Sequence, residues 1–265
     1  MTDRIRVAVV GALGRMGRET VRAVVADEGL ELIGAADVAA ARRPAGEARM
    51  SGSDIPISAS VAEMLAGQRP DVVVDFTTPA AVFANACEAL AHGVTTIIGT
   101  TGLDAAQIEE LGRRAAEKEV GVAVIPNFAI GAVLMMRFAA EAARYLPHAE
   151  IIELHHDQKL DAPSGTALKT AELVNAAMGE PVSTGVAETE KLAGARGGKL
   201  ERVRIHSVRL PGLVAHQEVI FGGVGQCLTI RHDSFNRESF MPGVLLAIKR
   251  MVGRRGLVYG LENLL

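Results

Sequence analysis

Ile5-Arg6-Val7-Ala8-Val9-Val10-Gly11-Ala12-Leu13-Gly14-Arg15-Met16-Gly17 joins a β-branched run to three glycines set two residues apart, and a helical pattern follows through Val21, Val24 and Val25. This order predicts a strand, a tight glycine turn and a helix. Such a turn lets backbone approach a pyrophosphate at a helix start, where N–H groups lack partners. The spacing alone is a weak signal, because Leu13 stands where the commonest dinucleotide fingerprint has its second glycine.

Outward from that segment the pattern alternates. A second strand, Leu30 to Ala36, ends at Asp37; apolar runs at Val72 to Phe76 and Thr95 to Gly99 flank a helix-like Pro79 to His92. A helix from Ala105 to Lys118 and a strand from Val122 to Ile125 follow, and Pro126-Asn127 then breaks the pattern. Alternating strands and helices predict an α/β, Rossmann-like, doubly wound parallel sheet. After the break come a helix near Ala132 to Tyr145, a strand from Glu150 to His155 and a helix after Pro163. Three strand-like runs close the series: Val203 to Arg209, Gln217 to Phe221 and Gln226 to His232. Consecutive strands predict a second, α+β domain with a mixed or antiparallel sheet. The domains divide as 1–126 and 127–235. The closing helix, roughly Arg237 to Met251, fits either one by periodicity. A Gly-, Thr- and charge-rich stretch from Met178 to Leu200 reads as a long excursion.

Composition narrows the classes. With 265 residues, 49% of them hydrophobic, only 3% aromatic and no Trp, the chain must build its core from Ala, Val, Leu and Ile, which suits layered α/β packing. A net charge of −3 and scattered arginines argue against nucleic acid as a partner. Cys87 and Cys227 match no metal or redox spacing and read as thiols in a reducing compartment. Met1 to Arg6 is charged and leads straight into a strand, and Val120 to Met136 is interrupted by Pro126, Asn127 and Gly131. No membrane association and a cytoplasmic location are expected.

Two sets of residues carry chemistry. Asp37 ends the second strand about twenty residues after the last glycine, where a carboxylate accepts hydrogen bonds from an adenosine ribose. It would repel a 2′-phosphate, and Val38 offers no compensating cation, so NADH is the favoured donor; Arg42 and Arg43 keep NADPH as an alternative. Asp75-Phe76-Thr77-Thr78-Pro79 and Gly99-Thr100-Thr101-Gly102 end strands on the side where open α/β sheets bind ligands, so both loops are candidates for the nicotinamide side. The second set is Glu153-Leu154-His155-His156-Asp157-Gln158-Lys159-Leu160-Asp161-Ala162-Pro163-Ser164-Gly165-Thr166-Ala167, which puts two imidazoles and an ammonium ahead of a helix start. That mixture suits proton transfer beside an anion: Gly165 and Thr166 offer helix N–H groups, and Lys159 offers charge and a proton. Zinc on His155 and His156 is disfavoured, since adjacent strand residues point to opposite faces and no third ligand is evident.

These stretches, with Gly14-Arg15-Met16-Gly17 and Asn127-Phe128, resemble the 4-hydroxy-tetrahydrodipicolinate reductase (dihydrodipicolinate reductase) family from the first strand to the last helix. The resemblance implies NAD(P)H-dependent reduction of 4-hydroxy-tetrahydrodipicolinate with loss of water, in lysine biosynthesis through diaminopimelate. It implies His155 as the acid/base residue, Lys159 as proton donor, and His156, Gly165 and Thr166 as ligands of the dicarboxylate substrate. The cofactor contacts it implies are Gly11, Ala12, Leu13, Gly14, Arg15, Met16, Asp37, Phe76, Gly99, Thr100, Thr101, Ile125, Pro126, Asn127 and Phe128. It also implies a nucleotide domain completed by residues 236–265 and a substrate domain that builds a homotetramer. The chain departs from many members at Val38, where they carry a basic residue, and over Leu210 to His216, where some read Gly-Asp-Ile-Val-Gly-Glu-His. Two other readings remain from the residues alone: another nicotinamide-dependent reductase of a small carboxylate, or a non-catalytic NADH sensor.

Overall fold

The computed structural model describes residues 4–42, 55–180 and 189–265. Arg43 and residues 181–188 of the predicted excursion lie outside them, as does the side chain of Arg42. Among the described residues no helix is long and apolar enough to cross a membrane. The chain forms two compact units, one from Met1–Phe128 with Phe240–Leu265 and the other from Ala129–Ser239.

In the first unit the chain runs through β1 (Ile5–Val10), α1 (Arg15–Ala26), β2 (Leu30–Ala36), β3 (Ile57–Ser58), α2 (Val61–Gly67), β4 (Val72–Asp75), α3 (Pro79–Ala91), β5 (Thr95–Ile98), α4 (Ala105–Glu117) and β6 (Gly121–Val124). The second unit holds α5 (Ile130–Ala143), β7 (His148–His155), α6 (Gly165–Ala177), β8 (Gly198–Leu200), β9 (Val203–Arg209), β10 (Ala215–Gly223) and β11 (Gln226–Ser234). The chain then returns through α7 (Met241–Met251) and β12 (Gly256–Tyr259) to the first.

The first sheet has the order β12-β6-β5-β4-β1-β2-β3, and every pairing is parallel. The sequence therefore winds outward in two directions from the β1/β4 boundary, the topological switch point at which open α/β sheets bind ligands. Parallel strands sandwiched between helices must be apolar on both faces, and β4, β5 and β6 are buried at every position. Ala8, Val10 and Val73 pack with Val61, Met64 and Leu65 of α2, and Val82, Ala86 and Leu90 of α3 pack with Leu111 and Ala115 of α4. Lys249 of α7 pairs with Asp27 at the end of α1 at 2.6 Å, tying segments 222 residues apart.

The second sheet, β11-β10-β7-β9-β8, is mixed: β7 and β9 are parallel and the other pairs antiparallel. On β7, Ala149, Ile151 and Glu153 are buried in alternation, as a sheet with helices on one face requires, and α5 and α6 supply that cover. The α/β reading of the sequence holds in the first unit, and the α+β reading with a mixed sheet holds in the second. The short elements β3, α2, β8 and β12 were not expected from it. The three strands among them are ordered by a neighbour: β3 pairs with β2, β8 with β9, and Gly256–Tyr259 of β12 with Gly121–Val124.

Candidate active site

The candidate cofactor residues sit in successive loops at the carboxyl ends of the strands. Each parallel ladder continues one step beyond its strand: Gly11 N donates to Ala36 O at 2.8 Å, Phe76 N to Val10 O at 3.0 Å, Gly99 N to Asp75 O at 2.9 Å and Ile125 N to Ile98 O at 2.9 Å. Those bonds bring the loops carrying Gly11 to Met16, Phe76, Gly99 to Thr101 and Ile125 to Phe128 to one edge of the sheet.

Two of the three turn glycines have a readable steric reason. Gly11 has φ +76°, and a Cβ there would stand 2.7 Å from Phe76 O; a Cβ on Gly17 would overlap the Gly11 carbonyl oxygen, so α1 packs directly on the turn. Gly14 caps α1 without a side-chain hydrogen bond, which leaves the helix start open to an anion. Asp37 accepts from Leu13 N and Ala39 N, both at 2.9 Å, and so ties the second strand to the glycine turn. Ala12 and Ile125 are fully buried and shape the loops from beneath, whereas Gly14, Arg15 and Pro126 are exposed.

Beneath the next loop, Asp75 is buried and accepts from Thr77 N (2.7 Å), Thr77 Oγ1 (2.6 Å) and Asn85 Nδ2 (2.9 Å). Burial pushes its carboxyl pKa up against those bonds. Phe76 stacks at a tilt on Phe128, with ring centroids 5.5 Å apart, and fills the space above Gly99 where a side chain would clash. Thr100 Oγ1 is buried with no partner among the described residues. An open helix start, a glycine turn with no room for side chains and an unpaired hydroxyl at the β5 end fit a dinucleotide.

In the second unit the strand, turn and helix of the His-His motif converge. His155 ends β7, and its Nδ1 lies 2.5 Å from Glu153 Oε2. Glu153, with 0% of its side chain exposed, also receives Arg209 Nη1 and Nη2 at 2.8 Å each and Ser164 N at 3.3 Å. Arg209 Nη2 donates further to Asp161 O at 2.7 Å, and Asp161 holds Lys159 Nζ through both carboxylate oxygens at 2.7 and 2.9 Å. That ammonium pulls the Asp161 carboxyl below its ordinary value. Ser164 caps α6 by accepting from Ala167 N at 3.2 Å. Gly165 is exposed, and a Cβ there would meet no protein atom within 4 Å. His156 is exposed just past the strand end, and Thr166 lies in the first turn of α6, where its carbonyl receives Thr170 Oγ1 at 2.7 Å.

His155, Lys159 and the α6 start are thus joined in one network, and the joints are Glu153, Arg209 and Asp161. Glu153 was legible as a partner of His155 from its two-residue spacing on a predicted strand, since alternate residues share a face. Arg209 had no local signal; it meets the site because it is the register partner of His155 across the β7–β9 pair. Among the described residues no cluster of three or more His, Cys, Asp or Glu is arranged to hold a metal ion.

Comparison with known proteins bears on both units. The dihydrodipicolinate reductase N-terminus family model matches residues 5–128, and the C-terminus model of the same family matches residues 131–265. A 4-hydroxy-tetrahydrodipicolinate reductase from Syntrophomonas wolfei is 60% identical over 266 residues, covering 100% of both chains. One from Moorella thermoacetica is 54% identical, covering 100% of this chain and 99% of the relative. The dipicolinate-bound dihydrodipicolinate reductase of Paenisporosarcina sp. TG-14 superposes with a TM-score of 0.88 at 44% identity, covering 99% of this chain and 100% of that one. Matched from β1 through β12 by both halves of the family model and by relatives of equal length, this chain belongs to the dihydrodipicolinate reductase family.

Proposed function

We propose that this chain reduces 4-hydroxy-tetrahydrodipicolinate to tetrahydrodipicolinate with loss of water, using a nicotinamide dinucleotide, in the cytoplasmic route to lysine through diaminopimelate. The observation that carries this reading is the network joining His155, Lys159 and the α6 start. A diacid needs two sources of positive potential. The start of α6 at Gly165-Thr166, where Gly165 faces open space, supplies one and Lys159, with His156, the other. The open space above Gly165 fits a carboxylate laid directly against backbone.

The dinucleotide supplies the hydride. Residues 1–126 with 236–265 hold it, through Gly11 to Met16, Asp37, Phe76, Gly99 to Thr101 and Ile125 to Phe128. Hydride addition to a conjugated ring leaves electron density that a nearby proton must quench, and Lys159 donates that proton while His155 acts as acid/base. Residues 127–235 bind the substrate and hold four copies together. Half-exposed Ile152, Leu154, Val208 and Ile220 lie on the sheet face turned away from the buried row, in line with an assembled surface. Asp37 beside the turn and exposed Val38 after it support NADH over NADPH.

Absorbance of NADH, followed with 4-hydroxy-tetrahydrodipicolinate generated in situ from pyruvate and aspartate semialdehyde, tests the reading. Wild type oxidises NADH with higher kcat/KM than NADPH, and Lys159→Ala lowers kcat by about 100-fold or more while NADH affinity holds. Binding of NADH without oxidation would point to a sensor and overturn the reading. Equal or better use of NADPH would overturn the cofactor preference alone.

A further inference from the structure

Glu153 and His155 stand two residues apart on β7 and face the same way. The Glu153 carboxylate is out of solvent and fully subscribed. Oε2 takes His155 Nδ1 at 2.5 Å and Arg209 Nη1 at 2.8 Å; Oε1 takes Arg209 Nη2 at 2.8 Å and Ser164 N at 3.3 Å. Ser207 is its register partner on β9. A carboxylate held bidentately by a guanidinium remains an anion. Burial pushes its pKa up, but the hydrogen bonds from His155 and Arg209 more than offset this and hold it at about 2. An anion cannot donate, so the hydrogen in the contact with His155 belongs to Nδ1 in the neutral and the charged ring alike.

We propose that Glu153, clamped by Arg209, is the positioning residue for His155, fixing the Nδ1–H tautomer and the ring plane so that Nε2 is the nitrogen that exchanges a proton with the dicarboxylate substrate. The proposal rests on His155 being the acid/base group of the reduction described above. The groups facing the pair are Arg209 and Ser207 from β9 and the Ser164 N–H from the start of α6. Asp161 holds Arg209 from the preceding turn through its carbonyl and carries Lys159 on its carboxylate. Arg209 in this scheme is not a substrate ligand: two of its nitrogens are spent on Glu153, on carbonyls and on the geometry of the turn.

The sign of the electrostatic effect follows from these charges. An anion at Nδ1 favours imidazolium; replacing it with an amide removes that attraction and leaves the Arg209 charge facing the ring. In the full-length enzyme, Glu153→Gln is expected to lower kcat by about 10- to 100-fold and to move a limb of the kcat/KM pH profile to lower pH. NADH affinity and substrate KM should stay within about 2-fold, because the Glu153 side chain is out of solvent and its oxygens are taken by His155, Arg209 and Ser164. Glu153→Asp, which keeps the charge, should restore the limb while kcat stays partly reduced.

A measurement on the wild type needs no variant to fold: two-bond 1H–15N correlation of the His155 ring reports which nitrogen carries the hydrogen. Nδ1–H in the neutral ring is the expected result. Nε2–H as the major neutral form, or Glu153→Gln with an unmoved pH limb and near-normal kcat, overturns the proposal. Wild type that fails to oxidise NADH with this substrate would instead overturn the reductase reading, and the ring tautomer would still decide whether Glu153 orients His155.

Discussion

Glu153 shows how one buried charge is made tolerable. Taking a carboxylate out of water is costly unless its oxygens are paired, and here a guanidinium fork, an imidazole and a helix-cap N–H meet both of them. The same pairing has a consequence for stability. Its folded pKa of about 2 lies below the ordinary 4.5, so the contribution is fully present above the ordinary value and is lost as pH falls through about 2. The size is on the order of 3 kcal/mol. Urea unfolding should therefore show a stability gap between wild type and Glu153→Gln that is widest above pH 4.5 and narrows toward pH 2. A gap that stays constant across that window would mean that folding does not hold the Glu153 carboxyl below its ordinary value. Asp75, buried at the end of β4, is the opposite case: burial raises its pKa because its partners, Thr77 and Asn85, are neutral.

The two helix starts differ in what surrounds their glycines. At α1, Gly17 is pressed against the turn, and a methyl group there would overlap the Gly11 carbonyl. Gly17→Ala is expected to destabilise the chain by about 1–3 kcal/mol and to weaken NADH binding, because the helix must shift off its loop. At α6, Gly165 faces open space on a first-turn position. Gly165→Ala should therefore leave thermal stability equal or slightly raised, by up to about 1 kcal/mol from helix propensity, while substrate KM rises. Thermal melts paired with NADH titration and substrate KM check both, and a loss of stability in Gly165→Ala equal to that in Gly17→Ala would refute the contrast. The helices also differ in support. α1 is held by the α7 contact through Lys249 and Asp27, whereas α6 is held at its first turn by Thr170, which takes Gln217 Nε2 at 2.7 Å from β10.

For the whole molecule, the face of the mixed sheet bearing Ile152, Leu154, Val208 and Ile220 is where assembly is expected. Light scattering on the purified protein should give four times the 27.8 kDa chain mass, and Ile152→Glu with Ile220→Glu should reduce it. A monomer at micromolar concentration, or a tetramer that the paired substitution leaves intact, would remove that face from the assembly. The α/β architecture was legible in the sequence because parallel strands buried on both faces must be written as Val- and Ile-rich runs, and glycine turns and helix caps have local chemistry. The candidate ligands His155, Lys159, Gly165 and Thr166 were legible for the same reason, lying within a dozen residues of one another. Arg209 was not, nor was β12, because nothing within a few residues of them encodes their partners. They are decided by register and packing between segments distant in the chain: β7 beside β9 puts Arg209 on Glu153, and β6 orders Gly256–Tyr259. Local pattern thus determined the elements and most of the candidate reacting groups, while only the tertiary structure decided that Arg209 stands behind Glu153, since a pairing across 56 residues exists only once the strands have met.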